Sequence, residues 1–108
     1  MNNLQKNLNQ FLFFSAPNSK PTFKLIREIS IDKLNIKNSL DILYSIMANT
    51  NNLISTKIKL ILLIDKCLNK KNSVFINFFL QHKLYKNLVR YLIYENLQDE
   101  NRFVIFFN

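Results

Sequence analysis

Four lysines are the residues whose type and spacing could do chemistry in this chain: Lys57, Lys59, Lys70 and Lys71. Two precede and two follow the apolar run "LILLI" at Leu60 to Ile64. Lysines gathered on one face bind phosphate and carboxylate groups as point charges. The remaining reactive inventory is thin. His82 is the single histidine, between Gln81 and Lys83, and reads as a surface or helix-end residue. Cys67 is the single cysteine, so an internal disulfide and a cysteine-based zinc site are both excluded. It sits in an apolar run and is expected to pack as a small hydrophobe. Asp99 and Glu100 are the only adjacent acids, and no paired-carboxylate pattern is visible. With 0 glycines, a phosphate-cradling or dinucleotide loop cannot be built. These residues point to a binding module without catalysis, cofactor or metal.

Charge supports that direction. The 108 residues carry 15 Lys+Arg against 7 Asp+Glu, a net +8, and the pI is about 9.8. Such a balance favours acidic lipid heads, nucleic acid or acidic peptides as partners. Abundant Asn, Lys and Ile also match the residue usage of an AT-rich genome. No run of consecutive basic residues is longer than Lys70–Lys71.

The elements that must position these lysines read as helices. A chain that is 48% hydrophobic with 0 Gly and 2 Pro can bury a core but lacks the glycines that tight β-turns need. Leu4, Leu8, Phe11 and Leu12 lie at helical spacing over residues 3–14. "SAPNSKP" (Ser15 to Pro21) ends that helix. Thr22 is placed to cap the next, with Phe23, Leu25, Ile26 and Ile29 as its apolar stripe. "DKLNIKN" reads as a linker or a helix start. Ser39 is expected to cap a helix carrying Leu40, Leu43, Ile46 and Met47. After "NTNN", a Ser/Thr cap opens "STKIKLILLIDKCL", apolar on several sides through Ile58, Ile61, Leu62, Leu63, Ile64 and Leu68. That helix is expected to be central and most buried. "NKKNS" breaks it. Ser73 is expected to cap "VFINFFLQH", with Val74, Phe75, Phe78 and Phe79 inward, and Leu84, Leu88, Tyr91, Leu92 and Leu97 line the last helix.

The expectation is an all-α domain over residues 1–98, followed by an irregular aromatic tail over 99–108. In that tail, "RFVIFF" reads as a strand or a buried segment. Either it docks on the domain, or the chain lacks its last helices. No stretch approaches the ~18 apolar residues of a membrane span, and no signal peptide or lipidation motif is visible.

The stretch "LILLIDKCLNKKNSVFINFFLQHKLYKNLVRYL" (Leu60 to Leu92) resembles the paired helices of the ENTH/ANTH/VHS superfamily of trafficking adaptors. The positions that carry the resemblance are Lys59, Ile61, Leu63, Ile64, Asp65, Cys67, Leu68, Asn69, Ser73, Phe75 and Leu88. Upstream, "APNSKPTFKLIREIS" looks like the family's proline-bearing loop and following helix. The resemblance spans roughly residues 8 to 95 and rests on apolar spacing plus a few polar marks. It departs in "NKKNS", which lacks the family's glycine, and in Trp, which is 0 here. The family's C-terminal helices are expected to be missing or replaced by "NRFVIFFN".

The resemblance implies a right-handed superhelix of stacked short helices and a role as a monomeric adaptor. Such an adaptor is cytoplasmic and peripheral to vesicle-trafficking membranes (clathrin, endosomal or Golgi). Its partners would be phosphoinositide, coat proteins or cargo proteins. Family members that bind phosphoinositide use basic residues of the first helix, the following loop and the central helix. Only Lys59 carries over, because the first-helix arginine position falls near Phe13 or Phe14. The basic face expected at one end of the superhelix comprises Lys57, Lys59, Lys70 and Lys71. Two other functions fit the charge: a small nucleic-acid-associated subunit of a ribonucleoprotein, and a CTD-interacting-type reader of phosphorylated peptides, which needs Arg or Lys pairs facing a groove.

Overall fold

Six helices account for the regular structure of residues 3–94, the part of the chain that the computed structural model describes; side chains are described through Leu92. No strand occurs among the described residues. The all-α expectation is met. The tail 99–108 and Leu97 lie outside the described residues.

Helix α1 runs Asn3–Asn9 and continues as a π-turn, Gln10–Phe14. Leu4, Leu8, Phe11 and Leu12 are all buried, as their spacing requires. The chain leaves at Ser15, whose hydroxyl donates back to the Phe11 carbonyl. Helix α2 is Phe23–Ile29, and the Thr22 hydroxyl caps it by accepting from the Leu25 amide at 3.1 Å. Leu25, Ile26 and Ile29 face the core, whereas Phe23, expected inward, is 68% exposed. Its ring lies instead at the surface beside Lys70.

Helix α3 is longer than expected, Lys33–Ala48. Asp32, not Ser39, caps it: its carboxylate accepts from the Asn35 amide at 2.8 Å. The earlier start adds Ile36, which is buried and extends the stripe to Leu40, Leu43 and Met47. Ser39 is instead fully buried inside the helix, and its hydroxyl has no hydrogen-bond partner.

Helix α4, Ile54–Asn69, holds the largest set of buried residues among the helices, as its multi-sided apolar pattern predicts. It begins ahead of the expected Ser/Thr cap, so Thr56 lies buried in its first turn, and Ile58 is exposed rather than inward. The hub is nevertheless α3, which packs against each of the other five helices.

A left-handed residue, Lys71 (φ 56°), turns the chain between α4 and α5. Helix α5, Ser73–Gln81, is capped by Asn72, which accepts from the amides of Val74 and Phe75. Phe75 and Phe79 stack in the core, Phe78 is half-buried and Val74 is exposed. Helix α6, Lys83–Tyr94, buries Leu84, Leu88 and Leu92.

His82 stands at the α5–α6 corner, as expected of a helix-end residue. Its Nδ1 accepts from the Leu84 amide at 3.0 Å, which leaves Nε2 as the donor to Asp41 of α3 at 2.7 Å. The neutral tautomer therefore ties the corner to the hub helix.

Candidate functional site

The four lysines do not form one face. Residues two apart on a helix point to opposite sides, so Lys57 and Lys59 diverge. Lys57 is half-buried, with its ammonium 5.6 Å from the Tyr91 ring of α6. Lys59 is 4% exposed. Its ammonium donates to the Ser15 carbonyl at 3.1 Å and to the Ser15 hydroxyl at 3.2 Å, and lies 5.9 Å from the Phe11 ring. Lys70 and Lys71 sit at the other end of α4, roughly 20 Å along its axis from Lys57, and both are exposed. Lys70 rests 3.6 Å from the centre of the exposed Phe23 ring. The single basic face is replaced by three separate settings.

Lys59 is a buried cation whose hydrogen-bond and ring contacts are to neutral groups. A buried ammonium carries a large desolvation cost that neutral partners offset only in part. Its field falls on Ser15 and Phe11, and both line a cleft of about 370 Å³. That cleft lies between α1 and α2. Asn7 and Gln10 come from α1 and its π-turn, Ser19 and Lys20 from the connecting loop, and Thr22, Lys24 and Leu25 from the start of α2. Pro17 and Pro21 end α1 and delay α2, so the loop folds back as a wall rather than extending a helix. Lys20 and Lys24 are exposed at the rim. Glu28 is held aside: its carboxylate accepts from Asn7 Nδ2 at 2.9 Å.

The cleft thus combines two exposed cations, hydroxyl and amide donors, and a buried ammonium behind its wall. Chemically it can hold a phosphate group. Sequence reasoning missed Lys20 and Lys24. The available signal was the basic content of the loop after the first helix, "SAPNSKPTFK".

A second recess, of about 260 Å³, opens on the other side of α2. Phe23, Ile26, Arg27, Ser30 and Ile31 line it from α2 and its end, and Lys70 and Asn72 line it from the α4–α5 turn. Here Arg27 and Lys70, far apart in the chain, share one groove.

Cys67 is 1% exposed, and burial pushes its thiol up to about 12. It packs as a hydrophobe and is not a nucleophile near neutral pH. Among the described residues, no group of three or more His, Cys, Asp and Glu side chains is placed to hold a metal ion. No described helix is long and apolar enough to cross a membrane.

No family model, curated protein or solved structure matches this chain.

Proposed function

We propose that this chain is a non-catalytic binding module of ENTH/VHS type, with its helices forming that family's superhelix. It attaches to the cytoplasmic face of vesicle-trafficking membranes and presents coat or cargo proteins there. The phosphates of a phosphoinositide headgroup occupy the α1–α2 cleft. The observation that carries this reading is the cleft itself: Lys20 and Lys24 at the rim, with the buried Lys59 ammonium behind Ser15. The basic groups come from the loop after the first helix (Lys20), the start of α2 (Lys24) and, behind the wall, α4 (Lys59), whereas the first helix supplies the neutral Asn7 and Gln10. Lys59 acts through its field and by fixing Ser15, not by touching the headgroup. Lys57, Lys70 and Lys71 add general attraction to an acidic surface, which salt screens.

Co-sedimentation with vesicles of neutral lipid, with and without phosphoinositide, tests the proposal. Selective binding is expected to fall at least about tenfold in Lys20→Glu/Lys24→Glu, whose substitutions are both on the surface; that is about 1.4 kcal/mol. No preference for phosphoinositide removes the membrane role. Binding to RNA in its place transfers the protein to the nucleic-acid reading.

A second reading has its own support. Arg27 and Lys70 lining one recess is the paired-cation groove that a phosphopeptide reader needs. Titration with serine-phosphorylated and unphosphorylated peptides checks it. Equal or absent binding of the two forms discards it.

A further inference from the structure

Ser73 is the one serine or threonine of this chain that follows two basic residues, Lys70 and Lys71, at positions −3 and −2. Val74 stands at +1, apolar and 37% exposed. Ser73, Lys70 and Lys71 are exposed as well. The residues from Lys70 to Asn72 lie between α4 and α5, and Ser73 opens α5. Only the first turn of that helix must fray to bring the segment out. Asn72 caps α5 in place of Ser73, so the cap does not depend on the Ser73 hydroxyl.

Other hydroxyls carry weaker versions of the pattern, and the structure closes them. Ser30 has Arg27 at −3 and Ile31 at +1, but its Oγ is buried. Ser39 has Lys37 at −2 and is fully buried. Thr22 has Lys20 at −2, but its hydroxyl caps α2.

We propose that Ser73 is a phosphorylation site for a basophilic protein kinase, one whose acidic groove reads the two lysines and whose +1 pocket takes Val74. Ser73 Oγ attacks the γ-phosphorus of ATP. The Oγ–P bond forms as the bond to the β–γ bridging oxygen breaks, ADP leaves with that electron pair, and the hydroxyl proton passes to the kinase's catalytic carboxylate. The product fits the fold. A phosphate brings a charge of about −1.5 to −2. Here it stands in the first turn of α5, where negative charge is favoured, and follows Lys70 and Lys71. It is also next to Asn72, which lines the recess that Arg27 and Lys70 share. The modification thereby lowers that recess's attraction for anions.

The test incubates the full folded chain with Mg-ATP and the catalytic subunit of cyclic-AMP-dependent protein kinase, which reads basic residues at these positions. Mass spectrometry then locates the phosphate. It is expected on Ser73 and not on Ser30. Ser73→Ala, at an exposed position that caps nothing, should remove it. Lys70→Glu/Lys71→Glu, both on the surface, should slow the initial rate at least about tenfold. Lys70→Ala alone, which leaves the left-handed Lys71 in place, repeats the test with a smaller slowing. An unmodified Ser73 overturns the proposal. So does a rate that the lysine substitutions leave unchanged, or labelling of Ser73→Ala at the level of the unsubstituted chain.

Discussion

Lys59 and Lys70 belong to the same helix and its cap, yet they live in opposite environments. Lys59 is walled in by α1, donating to Ser15 beside the Phe11 ring. Lys70 stands in solvent on the Phe23 ring. Both pair a cation with an aromatic ring, but only the first is held by hydrogen bonds among packed helices. The interior lysine is a structural post whose charge reaches the cleft through one serine. The surface lysine is available to a partner. Residue type and local pattern are shared; the neighbouring helix makes the difference.

That contrast can be broken most sharply by charge reversal. Lys59→Glu would set a carboxylate against the Ser15 carbonyl in a buried site, and we expect a loss of about 3–5 kcal/mol in urea unfolding. The same change at Lys70 should stay within about 0.5 kcal/mol. Equal effects at the two sites would erase the distinction.

Cys67 lies between these lysines on α4 and gives a pH readout of the interior. Its folded-state pKa is raised, to about 12, so the unfolded state releases the thiol proton first. The stabilisation is complete below the unfolded value and is lost as pH rises toward 12. Stability, followed by urea unfolding at rising alkaline pH, should therefore fall more steeply in the unsubstituted chain than in Cys67→Ala. Parallel curves would mean that the thiol is not sealed.

Smaller effects sharpen the surface end. Asn72→Ala should cost about 1 kcal/mol through loss of the α5 cap, whereas Ser73→Ala should be nearly silent by thermal melting. If the two exchange ranks, the cap is misassigned. Least of all, Phe23→Ala should move stability by no more than about 0.5 kcal/mol, since its ring is mostly exposed. A large loss would place Phe23 in the core after all.

Much of the scaffold was legible in advance. The stripes Leu4–Leu8–Phe11–Leu12 and Leu84–Leu88–Leu92 are buried as their spacing dictates, because a helix carries its own record of which face is apolar. Thr22 caps where it was expected. The misplaced starts have separate causes. Asn72 caps α5 in place of Ser73 because its side-chain oxygen reaches two amides, Val74 and Phe75; between Asp32 and Ser39, both good caps, the choice turns on whether the residues between them must reach the core. Ile36 must, so α3 begins early.

The candidate site was less legible. The divergence of Lys57 and Lys59 follows from their spacing alone. Nothing in the order of residues says that Ser15 meets Lys59, 44 positions away. Nor does it say that Arg27 and Lys70 share a recess.

By itself, then, the sequence determined an all-helical fold for the described residues, through its apolar periodicity and its lack of glycine, and a basic chain, through its excess of lysine. Only the tertiary structure decided which lysine is interior, which are free, and where the clefts open. The physical reason is one of range. Periodicity places a side chain on a face of its own helix, but what covers that face depends on contacts between segments distant in the chain.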